Sequence, residues 1–110
     1  MLVMKMVLAV MDRDDASGVI SNLTNEGFSV TRLSTTGGFL SSGNVTILVG
    51  VDDDKVEAVL AVIKEHSKSR TQLIPTIMGN EASYISPMPV EVTVGGATVF
   101  VLNVEHFEKI

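Results

Sequence analysis

Short apolar runs and four-residue periodicities alternate along this chain and divide it into two halves of one design. Met4 to Met11 is apolar, with β-branched content, and long enough for a buried strand but not for a helix. Asp12-Arg13-Asp14-Asp15 supplies helix-start chemistry, and Ala16, Val19, Ile20 and Leu23 follow at the i, i+3, i+4, i+7 spacing of one helix face. Gly27 fits the position just past a helix end, where a left-handed conformation is cheap only without a side chain. Phe28 to Thr36 then reads as a second, partly polar strand.

The second half repeats this order. Asn44 to Val51 places Val45, Ile47, Val49 and Val51 on one face of a strand. Asp52-Asp53-Asp54 starts another helix, whose apolar face is Val56, Val59, Leu60 and Ile63. Ser67 to Met88 has no period and reads as a long loop, expected to be mobile without ligand. Pro89 to Val94 and Ala97 to Val104 read as two strands joined by Gly95-Gly96, a two-residue hairpin signal.

Strand–helix–strand twice over predicts an α+β, ferredoxin-like βαββαβ domain with an additional strand or hairpin, filling residues 1–110 as one unit. Such a sheet carries both helices on one face and leaves the other bare. Val99, Phe100, Val101 and Leu102 are apolar on both sides of their strand, so another subunit is expected to cover the bare face.

Composition strengthens that expectation. A hydrophobic fraction of 45% and a mean hydropathy of +0.37 are high for 110 residues, a size with much surface and little interior. The net charge of −5 argues against a nucleic-acid polymer as partner, and the scattered basic residues form no membrane patch. No apolar run approaches the roughly 20 residues of a membrane helix, and a cytoplasmic location is the expectation.

Little in the chain suggests catalysis. It holds no cysteine, which removes thiolate nucleophiles and Cys-based metal sites together. The aspartates at 12, 14 and 15 miss the calcium-loop template, with Ser17 where glycine is required and Leu23 where the final Glu belongs. Helix capping explains them and Asp52 to Asp54, and such caps should face solvent. His66 and His106 lack partners at ligand spacing, and no Gly-x-Ser-x-Gly elbow is present. We therefore expect no catalytic residue, no metal, no cofactor and no enzyme.

Thr35 to Asn44 is different. Gly37, Gly38 and Gly43 let backbone N–H groups converge on an anion, and Thr35, Thr36, Ser41 and Ser42 add hydroxyls. Without a Gly-Lys-Ser/Thr ending this is not a P-loop. Phe39, at the tip with Leu40, can stack on a base, and the Asn44 amide can both donate to and accept from a base edge. The same features also fit a hairpin whose Phe39 packs into a neighbouring subunit.

Over essentially the whole chain, from Lys5-Met6 to Phe107, the sequence resembles the PII-like cyclic-di-AMP receptors. The resemblance is carried by Thr35-Thr36-Gly37-Gly38-Phe39-Leu40, Gly43-Asn44, Gly50-Val51 and Asp53-Asp54. Later come Ser83-Tyr84-Ile85, Pro89-Val90-Glu91-Val92 and Val94 to Val101. It implies a homotrimer of ferredoxin-like subunits with one cyclic dinucleotide in each cleft between neighbours. The short loop 37–43 would hold the ligand and the loop at about 67–88 would be the variable one. By matching position, Thr31, Thr36 and Gly37 belong to the ligand site, with Gly38, Phe39 and Leu40 as its backbone and stacking bed. Asn44 would read the adenine and Gly50 would sit close under it. Ser29 stands where relatives often carry Arg, and Lys109 where Gln is common, leaving Arg32 or Lys109 as substitute cations.

The resulting expectation is a cyclic-di-AMP-binding signal transduction protein that reports its ligand by ordering loops to an unknown protein target. The alternatives are a PII-like sensor of ATP or another adenine nucleotide, and a ligand-free trimeric adaptor.

Overall fold

The computed structural model describes residues 3–33, 43–74 and 90–110. Chain order is β1 (Met4–Asp12), α1 (Arg13–Asn25), β2 (Val30–Leu33), β3 (Asn44–Asp52), a 3-10 turn (Asp53–Lys55), α2 (Val56–His66), β4 (Arg70–Ile74), β5 (Val90–Val94) and β6 (Ala97–Asn103). Four strands form one antiparallel sheet in the order β2-β3-β1-β6, the ferredoxin-like arrangement with β6 in the last strand's place. β4 and β5 pair with each other in a separate two-stranded sheet, an arm outside that plan. No helix among the described residues is long and apolar enough to cross a membrane.

Strand alternation builds the core. Val7, Ala9 and Met11 of β1 and Val45, Ile47, Val49 and Val51 of β3 point to the helix side and are buried. They meet Ala16, Val19 and Leu23 of α1 and Val56, Val59, Val62 and Ile63 of α2, with Ile20 and Leu60 packed at the margin. Burying a valine or leucine side chain is worth about 1.5–3 kcal/mol, so this layer supplies the main drive to fold.

The helix ends follow from their residues. The Asp12 side chain caps α1 by accepting from the Asp14 N–H at 2.9 Å. At the other end the Gly27 N–H donates to the Thr24 carbonyl and the Phe28 N–H to the Leu23 carbonyl, both at 3.0 Å. That pair of bonds is a Schellman motif, and Gly27 takes the φ of 93° it requires. Asp52 makes no side-chain cap bond, and Asp53–Lys55 form a 3-10 lead into α2 instead.

Four expectations change. The stretch read as a loop from Ser67 begins with β4, a strand too short and too polar at its start to show a period, made regular by pairing with β5. The second strand starts at Val30 rather than at Phe28 and runs to Leu33 within the described residues. Gly95 and Gly96 do have positive φ, 81° and 84°, but they do not close a hairpin. A corner between two sheets needs the same backbone as a tight hairpin, and here β5 leaves for β4 while β6 joins β1. Finally, Asp15 is not a solvated cap residue: only 8% exposed, it pairs with Arg70.

Candidate functional site

The helices cover one face of the four-stranded sheet, and the register fixes what the other face carries. Met6 lies opposite Gly50 on one side and Leu102 on the other, and Leu8 lies between Leu48 and Phe100. Directly opposed residues point the same way, so Met6, Leu8, Leu48, Phe100 and Leu102 share the open face. Phe100 is 52% and Leu102 46% exposed there. This is a contiguous apolar surface, and among the described residues no element covers it.

Three of the sequence-derived candidates lie on this same face. Thr31 of β2 sits opposite Leu48, while Asn44 and Gly50 occupy even positions of β3 in line with Leu48. All three are exposed. Gly50 is two residues along β3 from the position opposite Thr31, so these two are near neighbours. Asn44 stands at the far end of β3, about 20 Å from Gly50 at 3.4 Å per residue. Thr36, Gly37, Gly38, Phe39 and Leu40 lie outside the described residues.

Two recesses flank the ends of β3. One, of about 470 Å³, is lined by Asp12, Asn44, Ser69, Thr93, Gly95 and Thr98 among others. Asn44 thus faces the corner where the β4–β5 arm joins the body. The other, of about 310 Å³, holds Gly50 together with Ser29, Phe28, Met4 and Lys55. Each has the size of a small-molecule site.

Of the two expected substitute cations, Arg32 is placed differently from expectation. Arg32 lies opposite Ile47, so it leaves the sheet on the helix side, away from Thr31. Alternation along β2 makes it a poor substitute for a cation at position 29. Lys55, at the end of the 3-10 turn, shares the recess of Ser29 and Gly50, with Glu26 and Asp52 also lining it. Sequence reading missed Lys55 because it is remote in the chain from Ser29 and comes near only through the β2–β3 pairing.

It also missed Arg70. Its Nη2 donates to Asp15 Oδ1 at 3.1 Å and its Nη1 to Asp15 Oδ2 at 3.4 Å and to the Lys68 carbonyl at 3.2 Å. The hydrogen bonds to Asp15, then its charge, raise the Arg70 pKa above the ordinary arginine value. His106 Nε2 lies 3.5 Å from Glu108 Oε1, and both side chains are exposed.

Comparison with known proteins places this geometry. The crystal structure of a functionally unknown protein from Pediococcus pentosaceus ATCC 25745 is 37% identical, covers all of both chains and superposes with a TM-score of 0.77. The crystal structure of Arabidopsis thaliana PII bound to citrate is 21% identical over 92% of this chain and 74% of that one, with a TM-score of 0.53, which shows a shared fold. Residues 4–110 match the family described as cyclic-di-AMP receptor. With a PII-like fold and a match over nearly its whole length, the chain belongs to the cyclic-di-AMP receptor family of nucleotide-sensing signalling proteins.

Proposed function

We propose that this protein is a homotrimeric, non-enzymatic sensor that binds cyclic di-AMP where the open sheet face of one subunit meets its neighbour. The carrying observation is the register: Thr31, Asn44 and Gly50 all sit on the face that the helices leave bare, the same face that carries exposed Phe100 and Leu102 across the sheet. A second copy would bury that apolar surface and bring ligand groups to its margins. Phe39 and Leu40 provide the stacking bed, with the backbone of Thr36, Gly37 and Gly38 as donors. Thr31 bonds the ligand where Gly50 leaves room for close approach, and Asn44, at the other end of β3, reads an adenine edge in the cleft with the next copy.

Binding that favours one loop arrangement over another shifts the population toward it, and that shift is the signal to a protein target. Isothermal titration with cyclic di-AMP tests the reading. It expects saturable heat with one ligand per chain, and no heat at tens of micromolar sinks it.

Ser29 supports a second reading, a sensor of ATP or another adenine nucleotide. An exposed serine at that position contributes no positive charge toward a phosphate. Competition separates the two: cyclic di-AMP displaced by equimolar ATP favours the second, and cyclic di-AMP retained favours the first.

A further inference from the structure

We propose that Arg70 and Asp15 are positioning residues for the recess that contains Asn44, holding the base of the β4–β5 arm as one of its walls. The inference rests on the reading of Asn44 as a ligand residue and extends it to how the site is kept in shape.

Two bodies meet at this recess. Asp12, Asn44 and Thr98 belong to the four-stranded sheet, while Ser69, Thr93 and Gly95 belong to the root of the arm. The arm forms its own sheet, and a two-stranded sheet alone in water is marginally stable. Its placement against the body therefore depends on the joint.

Among the described residues that joint has two ties besides the chain itself. The Gly96 N–H donates to the Ser67 carbonyl, and Arg70 grips the Asp15 carboxylate with both terminal nitrogens. Asp15 is almost wholly buried, so its charge needs this partner, whereas Arg70 is 44% exposed. Gly95 packs directly over the pair. A Cβ there would stand 2.5 Å from Arg70 Nη1 and 2.7 Å from the Lys68 carbonyl oxygen, at a φ of 81° that disfavours any side chain.

The first turn of α1 completes the link. Asp15 holds the arm, while the Arg13 N–H donates to the Gly43 carbonyl at 2.7 Å, immediately before Asn44. One helical turn thus fixes both walls of the recess. A ligand that contacts Asn44 and the arm root binds more tightly when the walls are already in register, so Arg70 acts on binding through Gly95, Gly96 and Ser69.

Arg70→Gln and Arg70→Lys test this, because the side chain is partly exposed and each replacement still offers the buried Asp15 carboxylate an N–H donor. Exchange of the Gly96 amide, measured without ligand, reports the joint, and titration with cyclic di-AMP reports the site. Arg70→Gln is expected to speed Gly96 exchange and to raise the Kd, each by about five-fold, with core amides unchanged. Arg70→Lys, which keeps the charge, is expected to recover part of both. Gly95→Ala, which displaces the same guanidinium, is expected to mimic Arg70→Gln. Wild-type Gly96 exchange in Arg70→Gln overturns the proposal, as does an unchanged Kd with a loosened joint. If the wild type binds no cyclic di-AMP, the functional reading fails alone, and Gly96 exchange still decides whether the pair holds the arm.

Discussion

The two faces of the four-stranded sheet are built from alternate residues of the same strands, yet they meet different fates. Val7, Ala9, Ile47 and Val49 have no exposure, sealed beneath α1 and α2. One residue away along each strand, Met6, Leu8, Leu48, Phe100 and Leu102 are also apolar, and no described element covers them. A strand with a solvated back face would alternate apolar with polar residues. Here the second face is apolar too, and the described ligand candidates share it. The helix face makes the subunit fold; the open face is available for what the subunit does.

The contrast can be broken most forcefully from its covered side. Ile47→Ala removes methyl groups from the centre of the core and is expected to cost about 2–5 kcal/mol, read as a lower denaturant midpoint. The same kind of change on the open face should act on assembly instead. Phe100→Glu is expected to leave the denaturant midpoint of a dilute subunit nearly unchanged while converting the proposed trimer to monomer, as followed by sedimentation velocity. An unfolded Phe100→Glu variant would show that the open face belongs to the fold.

Smaller effects sharpen the picture at the margins of that face. Asn44→Ala is expected to weaken cyclic di-AMP binding about ten-fold, the loss of one well-made hydrogen-bonding group, with the melting temperature of the free protein unchanged. Smallest is Asp12→Ala, which removes the α1 cap and should cost about 1 kcal/mol of stability.

Much of the fold was legible because it rests on local rules. Val45, Ile47, Val49 and Val51 announce a half-buried strand by alternation, and Ala16, Val19 and Leu23 announce a helix by spacing. Gly27 marks a helix end because only a glycine takes that φ cheaply. What escaped was non-local. β4 is a strand only because β5 pairs with it, and nothing within Arg70 to Ile74 records that partner. Gly95-Gly96 states its backbone conformation correctly, but conformation alone cannot say whether the next strand returns alongside or departs into another sheet. Asp15 looked like its neighbours in sequence; its burial depends on an arginine 55 residues away.

The site was legible in the same uneven way. Thr31, Asn44 and Gly50 were assigned by resemblance, and the register adds that they share one face. Arg32 was a plausible cation in sequence, and alternation turns it to the helix side, opposite to its neighbour Thr31. Lys55 enters the recess of Ser29 and Gly50 through tertiary structure alone.

The central claim is that the ligand site lies on the bare face and is complete only when a second copy covers it. Parallel isothermal titrations of wild type and Phe100→Glu with cyclic di-AMP test this directly. Saturable heat with one ligand per chain is expected for the wild type and none for the monomeric variant. A monomeric Phe100→Glu that binds as tightly as the wild type would contradict it.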